Sequence, residues 1–150
     1  MSVIKPLNPQ GGGTLPTYPV KAEIVAGTAA SVKTGYLVIE DGGNAGYDKA
    51  APDATDSTST IKGIAAGEST ETAALDGRVE IVRAPVIIAR MKATTPGNLA
   101  RTVINTKCTL DVSSGSYTVD ENDTSNGFIK ILDYDNTTDG NCIVEIACEV

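Results

Sequence analysis

The chain has 150 residues and a formal net charge of −7, with 41% hydrophobic and 21% charged residues. This length and balance are typical of one folded domain that buries its own core, and they exclude a disordered chain or a small protein that needs disulfides or a metal. The 12 Lys and Arg residues stand singly along the sequence. Because phosphate binding needs clustered cations, we expect no direct nucleic-acid partner.

No apolar run approaches the length of a membrane span, so we expect no membrane partner. Residues 1–6 lack the apolar region of a secretory signal, which predicts synthesis in a cytosol. The chain contains no His, no Trp and one Phe. Val, Ile, Thr, Ala and Gly are abundant instead, which favours strands and turns over helices.

The first 20 residues differ from the remainder, because four prolines and three consecutive glycines stand among few periodic apolar residues. Prolines hold the backbone near polyproline II or β values and the glycines form a flexible joint, which predicts an extended arm outside the core. A disordered terminus is the simpler alternative. The apolar groups of the segment favour an arm that contacts a partner, through Pro6, Pro9, Leu15, Pro16, Tyr18 and Pro19.

Residues 21–150 alternate short strand-like runs with turn signals such as Asp76-Gly77 and Asn126-Gly127. This pattern predicts an all-β fold, a small β-barrel or β-sandwich with an extended N-terminal arm and at most short helices. We expect one domain over residues 21–150, after the arm of residues 1–20. The predicted strands are residues 22–25, 36–40, 61–65, 78–83, 86–92, 106–112, 116–119, 127–132 and 142–150.

Three other segments receive weaker predictions. Residues 68–75 and 96–104 could form short helices, but neither has a sustained apolar stripe. Residues 48–59, which are rich in Ala, Asp, Ser and Thr, predict a long exposed loop.

Val86, Ile87 and Ile88 form the most apolar run of the predicted strands. A strand that is apolar on both faces is typical of the centre of a sheet or of a surface covered by another subunit. We therefore expect these three residues to form a subunit interface.

The residue types argue against catalysis. Without His, the Ser-His-Asp and Cys-His arrangements are impossible and the commonest general base is missing. Cys108, Cys142 and Cys148 alternate with apolar residues, so we expect buried free thiols and no cysteine nucleophile. Pairs of carboxylates remain possible but unspecific. We expect a protein that is not an enzyme and needs no cofactor.

One loop faintly resembles a calcium site. Asp133, Asp135 and Asp139, with Gly140 and then Glu145, offer oxygen ligands, but their spacing is offset from the EF-hand pattern. The flanks also predict strands, not helices. A hairpin loop held by Asx hydrogen bonds is the preferred interpretation.

A family resemblance rests on three segments of the first half of the chain, Ala26-Gly27-Thr28, residues 32–40 and residues 61–65. The second contains Gly35-Tyr36-Leu37-Val38 and the third Gly63-Ile64-Ala65. In this pattern the chain resembles the small capsid decoration, or cement, proteins of tailed bacteriophages, in which an extended arm leads into a β-rich body.

The resemblance implies a homotrimer that binds the major capsid protein on the outer surface of the virion and stabilises the head by bridging coat subunits. Such a protein needs no active site. A carbohydrate- or receptor-binding β module of a phage or bacterial appendage is the alternative, although only five Tyr and one Phe are present for stacking on sugars. An enzyme and a fibre subunit are less favoured alternatives.

Overall fold

A computed structural model describes residues 1–7, 17–22, 31–43, 47–53, 55–70, 77–135 and 137–149, with the backbone alone for 17–22. The chain divides into two compact units. The first unit comprises Met1–Leu7, Pro52–Ser59 and Val86–Ala147, and the second comprises Asn8–Ala51, Thr60–Pro85 and Cys148–Val150. The chain therefore passes between the units five times, after Leu7, Ala51, Ser59, Pro85 and Ala147.

The all-β prediction is confirmed. In chain order the strands are β1 (Lys5–Pro6), β2 (Thr17–Ala22), β3 (Ser31–Val32), β4 (Leu37–Glu40), β5 (Asp48–Ala50), β6 (Ile61–Ala65), β7 (Ser69–Thr70), β8 (Gly77–Val82), β9 (Val86–Ala93), β10 (Lys107–Ser113), β11 (Ser116–Asp120), β12 (Ile129–Tyr134) and β13 (Asn141–Ala147). The helices of the described residues are two three-residue 3-10 turns, Pro96–Asn98 and Arg101–Val103.

The second unit is a closed barrel in the order β2-β5-β4-β6-β8, with β3 and β7 paired separately. Its core is aliphatic, and Leu37, Ile64 and Ile81 are each 0% exposed. β6 approaches β8 closely at Gly63, whose φ is +154° and where an added Cβ would lie 2.1 Å from the carbonyl oxygen of Val82. Glycine is therefore required for the barrel to close at this point.

The first unit is a sheet in the order β1-β9-β11-β10-β12-β13, in which β9 also pairs with β13. Because β9 pairs with β13, the five strands β9, β11, β10, β12 and β13 pair around a closed circuit, to which β1 is added at β9. Alternate residues of β9 and β13 point inwards, so that Ile87, Met91, Val144 and Ile146 are at most 1% exposed. The period-2 alternation in the sequence of β13 has thus placed one apolar face in a core.

The two units share one strand topology. Each unit has five strands that pair around a closed circuit. In chain order they are β2, β4, β5, β6 and β8 in the second unit, and β9, β10, β11, β12 and β13 in the first. In both sets the first strand is parallel to the third and antiparallel to the fifth. The second strand of each pairs with the third and the fourth, and the fourth with the fifth. The fifth strands carry a matching run, Val79-Glu80-Ile81 and Val144-Glu145-Ile146. The units are therefore two copies of one five-strand plan.

Most predicted strands are found within one or two residues. Of the predicted strand 22–25, only Ala22 lies within the described residues, as the last residue of β2, and the predicted strand 142–150 already ends at Ala147. The predicted loop of residues 48–59 is wrong at its start, because Asp48–Ala50 is a strand between β4 and β2. Ala51 and Thr55 are also buried, at 2% and 3% exposure. Thr55 donates its hydroxyl to the Pro52 carbonyl oxygen at 2.7 Å, which compensates the burial of a polar group.

The described parts of the predicted arm belong to the two units and contribute a strand to each. Lys5 and Pro6 pair with Arg90 and Ala89 of β9, and Ile4 is 1% exposed. Thr17–Ala22 pairs along its whole length with β8. Residues 8–16, with the three glycines, lie outside the described residues. The fold thus uses two segments that the sequence assigned to an arm outside the core.

Candidate partner-binding face

The thiols of the chain are unreactive in their setting. Cys108 and Cys142 are 0% exposed, as predicted. Burial raises the pKa of Cys108 from its ordinary 9.0 to about 11, with the charge of Glu121 adding to the rise, and raises the pKa of Cys142 to about 12. The prediction of a buried thiol is wrong for Cys148, which lies after the last residue of β13 and is half-buried. Its partial burial still raises its pKa to about 12. These thiols are protonated at neutral pH, so they are poor nucleophiles.

The two buried carboxylates of the described residues have structural partners. Glu121 is 5% exposed and accepts hydrogen bonds from the Thr95 backbone N–H at 3.1 and 3.3 Å and from Asn122 Nδ2 at 3.1 Å. Asp41 is 7% exposed and pairs with Lys49 at 2.9 Å. These hydrogen bonds and charges explain why the two acids are buried.

The loop with the calcium-like spacing is a hairpin held by Asx hydrogen bonds. Asp135 accepts hydrogen bonds from Thr137 Oγ1 at 2.8 Å and from the backbone N–H and Nδ2 of Asn141 at 3.1 and 2.8 Å. The bonds from Asn141, and then that from Thr137, lower the pKa of Asp135. Within the described ranges, no three Cys, Asp or Glu side chains gather where they could hold a metal ion.

β9 presents an outward surface that is apolar at one end and basic at the other. Its outward side chains are Val86, Ile88, Arg90 and Lys92, which we call the β9 face. Val86 is 48% exposed, Ile88 is half-buried, and both cations are exposed. The strand is held on one edge by β13 from Val86 to Lys92, and on the other by β1 and β11. An apolar end and a basic end, about 20 Å apart at ~3.3 Å per residue, are thus fixed on one rigid strand.

The sequence-predicted contact residues are only partly brought together. Pro6 is opposite Ala89 in β1, near the β9 face. Tyr18 and Pro19 are in β2 of the second unit, opposite Ile81 and Glu80. Pro9, Leu15 and Pro16 lie outside the described residues.

Within the predicted interface of residues 86–88, the structure separates the side chains. Ile87 is 0% exposed and belongs to the core of the first unit, so its side chain cannot contact a partner while the unit is folded. Val86 and Ile88 are on the outward face. Sequence reasoning missed Arg90 and Lys92, which continue the same outward alternation and could have been found by extending the period-2 pattern past Ala89.

Among the cavities formed by the described residues, two lie in the first unit. A wide one, of about 660 Å³, is lined by Arg101, Ile104, Asn105, Asp133 and Tyr134. Asn105 has a left-handed φ of 65°, and its backbone N–H donates to the Ile131 carbonyl oxygen at 2.7 Å. A smaller cleft, of about 260 Å³, is bordered by Lys5, Arg90 and Lys92 at the basic end of the β9 face.

Comparisons with known proteins identify no relative: no protein-family model, no curated protein and no solved structure matches the chain. In the part of the chain that the structure describes, no helix is long and apolar enough to cross a membrane.

Proposed function

We propose that the chain is a capsid decoration protein, which binds the major capsid protein on the outside of a tailed-phage head and bridges neighbouring coat subunits. The observation that carries the proposal is the β9 face, where Val86 is 48% exposed on a strand that has neighbours on both edges. A partner that covers Val86 and the neighbouring Ile88 would remove apolar surface from water, which favours association. The resemblance over residues 26–65 supplies the identity of the partner.

The chemistry of the described residues fits a binding protein better than a catalyst. The thiols are protonated, and the buried carboxylates Glu121 and Asp41 are held by neighbouring donors. Neither group is placed as an activated nucleophile or a general base. We propose accordingly that the chain is not an enzyme.

The proposed assembly is a homotrimer. Three copies that bind a shell together need only modest contacts each, because the second and third contacts form at a high effective concentration. A chain of 15.4 kDa predicts a trimer of 46.2 kDa, three times 15.4, in sedimentation equilibrium. A monomer at micromolar concentration would contradict the trimer.

The head-binding proposal is tested by co-sedimentation with decoration-free heads assembled from the coat protein of the same genome. Deleting residues 1–20 is not a clean test, because it removes β1 and most of β2 from their sheets. A point variant, Val86→Asp, keeps the strands and should lower the bound fraction about tenfold or more, because an unpaired charge buried in a contact is costly. Thr102→Asp adds the same charge at another exposed position of the first unit and should bind normally. Full-length protein that binds no such head refutes the proposal.

The wide cavity favours a second candidate function, a carbohydrate- or receptor-binding module. Tyr134 offers one ring for stacking on a sugar, and Arg101, Asn105 and Asp133 offer polar groups for hydroxyls. A glycan array would test it. Glycan binding that is lost in Tyr134→Ala and kept in Val86→Asp would replace the capsid proposal, whereas an array without signal would eliminate the second candidate.

A further inference from the structure

Three cations meet at the small cleft of the first unit. Lys5 of β1 and Arg90 of β9 are directly opposite each other in the antiparallel register, so their side chains leave the sheet on the same face. Cross-strand pairs of this kind have Cβ atoms about 4.5–5.5 Å apart. Lys92 is two residues further along β9 and shares that face, about 7 Å away. All three side chains are exposed at a cleft of about 260 Å³.

This arrangement is unfavourable for the protein alone. Like charges directly opposite each other on neighbouring strands destabilise a sheet. No carboxylate of the described residues forms an ion pair with Lys5, Arg90 or Lys92, and no acidic residue lines the cleft. The register brings Glu145 of β13 next to Arg90, since it lies on the outward face opposite Ile88, but no ion pair joins Glu145 to Arg90. A local conflict of this kind is typical of a binding site whose ligand supplies the missing charge.

The chain as a whole makes the cluster more conspicuous. The chain carries a net charge of −7, whereas this cleft brings together three of its 12 basic residues. Long-range attraction to a polyanion such as nucleic acid is therefore weak, because three cations neutralise few phosphates. A short anionic group that enters the cleft is a better match.

We propose that the cleft formed by Lys5, Arg90 and Lys92 binds carboxylates from an acidic segment of the partner protein. The inference rests on the proposed function, since it names the chemistry of the partner surface. An extended partner segment would place an apolar side chain over Ile88 and acidic side chains over Arg90 and Lys92, because these residues succeed one another on the outward face of β9. The β9 face would then recognise the partner through an apolar contact at one end and charge pairs at the other.

The direct test uses a hexaglutamate peptide as the probe, with binding followed by amide chemical shifts at low salt. The amides of Lys5, Arg90 and Lys92 should shift, and the affinity should fall as NaCl is raised, since about 0.1 M salt screens exposed charges beyond ~10 Å. Each of Lys5→Gln, Arg90→Gln and Lys92→Gln should weaken binding about two- to fivefold, the range for one exposed ion pair. Lys33→Gln, an exposed cation of the second unit, should not change it.

The variants are also expected to fold, because Arg90→Gln relieves the repulsion from Lys5. Its melting temperature should equal or exceed that of the parent chain, which separates lost binding from lost structure. A peptide that does not shift these amides, or that binds Arg90→Gln as well as the parent, overturns the proposal. A dT12 oligonucleotide that binds more tightly than hexaglutamate at the same salt overturns the choice of carboxylates.

The same variants separate this inference from the proposed function in the head-binding assay. Heads that bind the parent and Arg90→Gln equally would leave the decoration proposal intact and refute the acidic-segment proposal. A chain that binds hexaglutamate through the cleft but binds no head would refute the decoration proposal and leave the carboxylate-binding cleft intact.

Discussion

Replacing Gly63 by alanine should destabilise the barrel of the second unit more than most core substitutions. The φ of this residue is +154°, and an ideal Cβ would lie 2.1 Å from the Val82 carbonyl oxygen and 3.1 Å from its carbonyl carbon. The obstacle is backbone, not the flexible end of a side chain. β8 would therefore have to move away from β6, where Ile64 pairs with Val82.

The expected magnitude has two parts. An alanine held in a sparsely populated backbone conformation costs about 1–3 kcal/mol, and forcing an extra methyl group into a packed site costs about 1–3 kcal/mol more. The sum, roughly 2–6 kcal/mol, is a large fraction of a typical stability of about 5–15 kcal/mol. Gly63→Ala should therefore lower the urea midpoint sharply or leave the second unit unfolded.

Urea unfolding followed by far-UV circular dichroism measures this effect. The matched control is Gly42→Ala in the same unit, because no atom lies within 4 Å of a Cβ at Gly42. If the two units unfold separately, only the transition of the second unit should shift. A Gly63→Ala protein within about 0.5 kcal/mol of the control, below the usual effect of a buried clash, would refute the close approach of β6 and β8.

Three further predictions concern buried groups of the first unit. Ile4→Ala should lower the free energy of unfolding by about 2–5 kcal/mol, because Ile4 is 1% exposed; unchanged thermal stability would place this segment outside the core. Glu121→Ala removes the acceptor of the Thr95 N–H and should cost about 1–3 kcal/mol, with faster amide exchange at Thr95 as the specific readout. Cys108 and Cys142 should resist iodoacetamide at pH 8 until urea is added. Because burial raises the pKa of Cys142 from 9.0 to about 12, unfolded thiols ionise first, so stability should fall as pH rises above 9.0, and less steeply in Cys142→Ala.

The strands could be predicted from sequence wherever local signals were strong. β6 (Ile61–Ala65) was predicted with both ends correct, and β4, β9 and β10 within one or two residues. β5 (Asp48–Ala50) was missed, because its three residues have little β propensity and are ordered only by β4 and β2 on either side. Some strands form only because neighbouring strands on both sides hydrogen-bond to them. Local propensity does not indicate such strands.

The candidate site was predicted only in part, because local sequence signals do not show which distant strands pair. The apolar run of residues 86–88 indicated a central strand, and β9 is one, with partners on both edges. Which of these residues face outwards depends on the pleat, which leaves Val86 exposed and Ile87 buried. The meeting of Lys5 and Arg90, 85 positions apart (90 minus 5), follows from the β1–β9 register and has no local signal.

The sequence by itself determined the fold class, the alternating faces of the longer strands and the burial of Cys108 and Cys142, because each of these follows from residue type and a two-residue period. Only the tertiary structure decided the division into two units of one topology, the burial of Ile4, the pairing of Thr17–Ala22 in a sheet, and the gathering of three cations at one cleft. These features depend on which distant segments pair. The pairing of distant segments is determined by the hydrogen bonds between strands and by the apolar side chains that they bury in a common core.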